Sequence, residues 1–406
     1  MKRLLNTFII ITIVFAACYS QQNDKGYYNT SRPYTRWWWF ASVIDTNDVK
    51  YQLDWLAENG FGGTEIAWVY PYGTDSLAPR QEWLSPEWSS VVAFAKRYSD
   101  KLGLGCDFTF GTLWPFGDSY IPPGEGQLHY GDTTAPLRRR ITWEHPKKFR
   151  TLNHMDKGAL VNYSARVGGA LAEALKGRKS ALFCDSWEVD TRKIWTKGFD
   201  GRFMKAYGYD IKPFMDSLYT KGHEGIFYDY MKLVSEYVLD EFYRPFTEIS
   251  NKLGGFSRAQ CGGSPTDLLT AFSLVDVPES EAILYEPNFS RIPASAAVLS
   301  SKNIVSAETF TCIYGWKRWP GPGPYQKQEQ TADLKLVADA LFANGVNHIF
   351  WHGMPFNGNG DTNIFYASVH VGENSSLTPE LPQFNKYMEI VCSYMRKGRN
   401  YTDIAV

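Results

Sequence analysis

The feature that most restricts the fold of this chain is an alternation. Short, nearly continuous apolar runs recur between longer segments of helical periodicity, and the pattern repeats along most of the sequence. The runs are "RWWWF" (36–40), "GGTEIAWVY" (62–70), "LGCDFTFG" (104–111), "SALFCDSWE" (180–188), "GFSRAQCGG" (255–263), "AILYEPN" (282–288), "IVSAETFT" (304–311) and "NHIFWHG" (347–353). Strands this short and this apolar are buried on both faces, as in a parallel sheet. The intervening segments carry helix signals. "SPEWSSVVAFAKRYSDKLG" has Ser85 to cap, Pro86 at the first helical position and Gly103 to stop. "TNDVKYQLDWLAENGF" spaces Val49, Leu53 and Leu56 on one face, with Thr46 or Asn47 as its cap. Eight strand–helix units predict an α/β fold, a (β/α)8 TIM-type barrel, with an insertion after strand 3 over 112–152. A doubly wound sheet is the rival, but no Gly-rich dinucleotide turn follows any of the runs.

Before the barrel lie two further segments. Lys2 and Arg3 precede "FIIITIVFAAC", which is too short to span a bilayer and has the form of a secretory signal. Ala16-Ala17-Cys18 has the form of a lipobox, with Phe15 where Leu is usual; cleavage near Ala17 without lipidation is the alternative. Residues 1–18 therefore read as a signal peptide, 19–33 as a linker and 34–406 as the barrel domain of an exported protein, periplasmic or anchored as an outer-membrane lipoprotein. Net charge is −1 with both signs interspersed, which excludes an electrostatic footprint for nucleic acid; membrane contact is expected only through the N-terminal anchor. Cys106, Cys184, Cys261, Cys312 and Cys392 are scattered through apolar segments, so buried free thiols are expected and zinc is not.

In such a barrel, function sits at the C-terminal ends of the strands. Those ends carry Trp39, Glu65, Asp107, Asp185, Glu188, Arg258, Gln260, Glu286, Glu308, His348 and His352. Carboxylates dominate, there is no nucleophile elbow, and 14 Trp with 25 Tyr offer rings on which sugars stack. Acid–base work between carboxylates in an aromatic cleft is the chemistry of glycoside hydrolysis. Glu188 and Glu308, on strands roughly opposite each other, are the candidate catalytic pair. Trp39, Trp114, Asp185, Arg258, Gln260, Trp351 and His352 are candidate substrate contacts, with Trp316 a further platform. The segment "DVPESEAILYEP" gathers Asp276, Glu279, Glu281 and Glu286, either as a solvated acidic loop or as a calcium site.

The blocks "RWWWF", "ENGFGGTEI", "WLSPEWSSVVAFAKRYSDKLGLG", "LFCDSWEV", "DVPESEA" and "SAETFT" together resemble glycoside hydrolase family 106, the α-L-rhamnosidases, over about residues 32–406. The resemblance implies inverting, calcium-assisted hydrolysis of α-L-rhamnosides in plant-type oligo- or polysaccharides, with Glu188 as general acid and Glu308 as base. The calcium ligands cannot be placed by residue. The resemblance also implies β-sandwich domains after the barrel, where this chain ends in "RNYTDIAV" as if truncated, and a longer insertion after strand 3. A retaining glycosidase such as a galactosidase, and a barrel that binds glycans without cleaving them, remain the alternatives.

Overall fold

The computed structural model describes residues 26–40, 44–69, 81–112, 114–131, 150–188, 190–282, 287–314, 328–356, 367 and 369–398. Eight parallel strands close into one barrel: β1 (Tyr34–Phe40), β2 (Gly63–Val69), β3 (Gly105–Thr109), β4 (Ala181–Cys184), β5 (Phe256–Ala259), β6 (Val277–Ala282), β7 (Ser306–Thr309) and β8 (His348–Pro355). Their order around the ring follows the chain, with β8 returning to β1. The helices between them are α1 (Thr46–Glu58), α2 (Pro86–Leu102), α3 (Lys157–Leu171), α4 (Phe199–Tyr207), α5 (Glu224–Tyr237), α6 (Arg244–Lys252), α7 (Leu268–Leu274), α8 (Arg291–Leu299), α9 (Thr331–Ala343) and, after β8, α10 (Leu381–Met395). The (β/α)8 expectation is met, and the five cysteines among the described residues are buried free thiols.

Local chemistry explains the helix ends. At α2 the Ser85 hydroxyl accepts from the Trp88 amide at 3.1 Å, and Gly103 closes the helix in the left-handed region at φ 78°. The cap of α1 is Asp45, one residue before those anticipated, and its carboxylate accepts from the Asn47 amide. The insertion after β3 is tied down by two short antiparallel pairs. Gly117–Asp118 pairs with Arg150–Thr151, and Leu128–His129 pairs with Ile194–Trp195.

Strand parity divides the side chains into two populations. In β1, Trp37 and Trp39 turn outward. The Trp37 indole donates to Gln52 of α1 at 2.7 Å, and Trp39 packs edge-on to Trp68 at 6.3 Å. Each such burial removes a large apolar surface from water, worth roughly 1.5–3 kcal/mol for a fully covered side chain. Tyr34, Arg36 and Trp38 turn inward. Tyr28 and Tyr34 join Ala181, Phe256, Val277, Ile304 and Phe350 in an apolar plug inside the N-terminal end of the barrel. Gly63 and Gly105 lie directly under the Tyr34 ring, where a Cβ has no room.

One strand is not where the apolar pattern placed it. The expectation for the sixth strand was 282–288, yet β6 is "VPESEA", residues Val277–Ala282. Residues 283–286, including Glu286, lie outside the described residues. The acidic residues disguised the strand. Glu279 is fully buried because Arg258, Gln260 and Ser306 all meet its carboxylate, so the segment is a buried strand rather than a solvated loop. Asp276 is equally committed, to Tyr27, Asn251 and the Ser257 amide.

Candidate active site

Above the apolar plug, the barrel interior is polar. At its centre Arg258 is fully buried and faces three carboxylates from three strands. Its Nη1 lies 2.6 Å from Asp107 and its Nε lies 2.8 Å from Glu279, while Nη2 pairs with Glu65. The Tyr28 hydroxyl donates to Asp107 at 2.7 Å and accepts from Arg258 at 2.9 Å. Burial pushes Asp107 up to about 7, against the Ala181 amide and the Tyr28 hydroxyl that bond to it. Phe183 and Phe350 flank the guanidinium. Arg258, expected as a substrate contact, is therefore a structural cation sealed below the mouth. Glu65 and Asp107 belong to the same buried layer and are not at the rim. His348 is at the opposite end of β8 from the mouth, against Arg396.

Glu65 connects this layer to the next. Its Oε1 accepts from the Nε of Arg36 at 3.1 Å, and from the Thr109 hydroxyl. The same Arg36 extends Nη1 upward to two further carboxylates, Glu308 Oε2 at 3.1 Å and Asp185 Oδ2 at 3.3 Å. Gln260 donates to Glu308 Oε2 at 2.6 Å, and His352 Nε2 lies 3.6 Å from Glu308 Oε1. Glu281 is next to Glu308 in the β6–β7 register and is partly exposed, as is Glu188 at the end of the turn that follows β4. Burial raises Asp185 well above the usual carboxylate range; Arg36 opposes the rise, while Glu308, Glu188 and Glu281 add to it. Glu281 is raised in the same way, by burial and by the charges of Glu308 and Glu188, against Arg36 and a hydrogen bond from Ser186. Among the described residues, four carboxyl groups thus share one mouth with Arg36. Two of them, Asp185 and Glu281, hold protons more readily than free carboxylates do.

The turn carrying Glu188 is held by its neighbour. The Trp187 amide donates to the Gly262 carbonyl at 2.8 Å, and Gly263, at φ 72°, passes so close to the Trp187 carbonyl that a Cβ would lie 2.8 Å from it. Beneath, the Trp187 ring packs on His154 at 4.7 Å and on Phe242 at 6.5 Å. Phe242 comes from a π-helical turn, Val238–Tyr243, between α5 and α6. His154 is buried with Nδ1 on the Leu152 carbonyl, and burial lowers its pKa from 6.5 to about 3. It folds neutral, so its contribution to stability is present above pH 6.5 and is lost as the pH falls toward 3. From pH 7 to pH 5, urea unfolding of His154→Gln is expected to show a loss smaller than that of the unmodified protein by about 2 kcal/mol. Equal losses would contradict the buried neutral state.

The aromatic wall belongs to other residues than those expected. Trp38, not Trp39, faces the mouth: its indole donates to the His352 carbonyl at 2.8 Å, and its ring stacks on Trp114 at 5.9 Å. Trp351 also faces outward, packing on Phe310 and Phe384 with its indole on Asn385. Parity explains both corrections, because Trp39 and Trp351 alternate with the inward Trp38 and His352. Trp316 lies outside the described residues. Asp185, Gln260, Glu308 and His352 converge as anticipated in one place, with Trp114 at the wall and Glu188 within electrostatic reach. Arg36 and Trp38 were missed, and Glu281, read as part of an acidic segment, belongs to the mouth.

Comparison with known proteins places this architecture. The family model for glycoside hydrolase 106, described as alpha-L-rhamnosidase, matches residues 151–406, the span from just before α3 through β4 to β8 and beyond. The chain belongs to glycoside hydrolase family 106. The structure of a rhamnosidase from Novosphingobium sp. PP1Y aligns with a TM-score of 0.71 at 13% identity, over 91% of this chain and 60% of that one. A β-galactosidase from Halorubrum lacusprofundi aligns at 0.55 and 11% identity, over 87% and 58%. At these identities the likeness is one of fold. A curated relative from Formosa agariphila, named a putative beta-glucuronidase, is 24% identical over 241 residues, which are 55% of this chain and 19% of the relative. This family 106 chain thus spans about a fifth of the length of that relative and 60% of the rhamnosidase.

Proposed function

We propose that the protein hydrolyses α-L-rhamnosides with inversion, Glu188 protonating the leaving oxygen and Glu308 activating water. The observation that carries this reading is the shared guanidinium. Arg36 holds Glu308 and Asp185 from one nitrogen, and the charges of Glu188, Glu281, Asp185 and Glu308 act on one another at the barrel mouth. Two donors on Glu308 Oε2 stabilise negative charge there, as a base requires. Glu188 is partly exposed at the end of the turn after β4, placed to meet a leaving group arriving from solvent. The family description supports the sugar. Among the described residues, a substrate carboxylate would meet Asp185, Glu188, Glu281 and Glu308 at the mouth, with Arg36 already paired to two of them, which favours a neutral sugar over a uronic acid.

The test is turnover of 4-nitrophenyl α-L-rhamnoside beside 4-nitrophenyl β-D-glucuronide and β-D-galactoside. Release from the rhamnoside alone is expected; preferential release from either other substrate overturns the sugar assignment. Plant-type oligo- and polysaccharides carrying terminal rhamnose are the proposed natural substrates. We also propose the calcium requirement that the family resemblance implies; it would appear as loss of turnover in EDTA and its return with calcium. We also propose export through residues 1–18, which lie outside the described residues, with Cys18 lipidated. Membrane fractionation of Cys18→Ala, expected to release the protein in soluble form, tests the anchor.

A further inference from the structure

The two oxygens of Glu308 are in different circumstances. Oε2 accepts from Arg36 Nη1 at 3.1 Å and from Gln260 Nε2 at 2.6 Å. Oε1 faces the imidazole of His352, whose Nε2 is 3.6 Å away, longer than a direct hydrogen bond. That separation lets one water molecule reach both atoms at ordinary hydrogen-bond length. His352 is held against Trp38: its carbonyl accepts from the Trp38 indole at 2.8 Å, and the two rings lie 5.2 Å apart. Burial, and then the Arg36 cation, hold its pKa well below the usual imidazole range, so it meets a water as a neutral ring.

We propose that the attacking water is seated between Glu308 Oε1 and His352 Nε2, with Arg36 and Gln260 dedicating the other oxygen of that carboxylate to structure. The inference rests on the hydrolytic reading given above and assigns an atom to each part of it. The water gives one hydrogen bond to Oε1 and one to Nε2, which leaves its lone pairs directed at the anomeric carbon. As the new C–O bond forms, the proton passes from water to Glu308 Oε1. The glycosidic C–O bond breaks, and the leaving oxygen takes the proton of Glu188. Both carboxyl groups then return to their starting states by exchange with solvent. His352 gains no proton; it touches the nucleophile and orients it. Arg36 is a positioning residue, because it reaches the reaction only through Glu308.

His352→Phe keeps a ring of similar size and removes the acceptor. It is expected to lower kcat on 4-nitrophenyl α-L-rhamnoside by about 10–100-fold, the penalty for a misplaced nucleophile, with KM unchanged. His352→Gln offers an amide oxygen at similar reach and is expected to recover a large part of that loss. A raised KM with normal kcat, or Gln no better than Phe, would overturn the seat. A crystal structure of the protein gives an answer that does not depend on activity. It should show a water within hydrogen-bond distance of both Oε1 and Nε2; an ordered site without that water overturns the proposal. If Glu308→Gln abolishes turnover while His352→Phe retains full kcat, this inference alone fails. If Glu308→Gln is itself active, the hydrolytic reading fails with it.

Discussion

Glu308→Gln is expected to lower turnover of an aryl α-L-rhamnoside by about 10²–10⁴-fold, the range for losing one general acid–base group. The substitution keeps the shape of the side chain and an oxygen for Arg36 or Gln260 to bond, so the fold should persist and KM should change little. Only the capacity to take a proton from water is removed. Glu188→Gln should lose a comparable factor on natural glycosides, whose leaving oxygen needs protonation. It should lose much less on 4-nitrophenyl rhamnoside, because nitrophenolate departs without a proton. This asymmetry separates acid from base in steady-state kinetics. If both variants lost the same factor on both substrates, the division of roles would be wrong. If Glu308→Gln kept a near-normal rate, Glu308 would not be the base.

The second large effect concerns stability. Arg258→Met is expected to lower the free energy of unfolding by about 3–5 kcal/mol, the usual consequence of stripping one partner from a buried ionic group. Three carboxylates, Glu65, Asp107 and Glu279, face that guanidinium inside the barrel. Without it they must bind protons or remain as uncompensated buried charge. Removing the cation strengthens the upward push of burial on these carboxyl groups, beyond the value of about 7 that Asp107 already has, and a raised carboxyl pKa means stability that is lost as pH rises. The deficit should therefore grow between pH 5 and pH 8 in urea titrations. A loss below about 1 kcal/mol, or a deficit that shrinks with pH, would show that the interior does not depend on this cation.

The fold was legible in the sequence because seven of the barrel strands announce themselves as apolar runs next to capped helices. The sixth did not, for a reason local to "VPESEA". A strand whose inward positions are Glu279 and Glu281 looks like a surface loop until the arginine that neutralises one of them is known, and Arg258 lies on a different strand. Composition cannot reveal a charge pair formed across a barrel. The site was legible in part. Asp185, Glu188, Gln260, Glu308 and His352, picked out as strand-end residues, do lie together at the mouth. Trp39 and Trp351 were misassigned for want of period-two bookkeeping. Once Gln260, Glu308 and His352 are taken as inward, residues an even number of places away on the same strand are inward too. That rule would have exchanged Trp351 for Phe350. Applied to "RWWWF" it pairs Arg36 with Trp38, although nothing in that stretch alone says which of its two faces is inside. Arg258 satisfies the parity rule and still is no substrate contact, because depth along the barrel axis is set by strand stagger.

The proposal that this mouth is an inverting hydrolytic site is tested most directly by the anomeric form of the sugar first released. Proton NMR recorded during hydrolysis of 4-nitrophenyl α-L-rhamnoside, before mutarotation, should show β-L-rhamnose appearing first. First appearance of the α-anomer would mean a covalent glycosyl-enzyme intermediate, and would contradict the assignment of Glu308 to the activation of water.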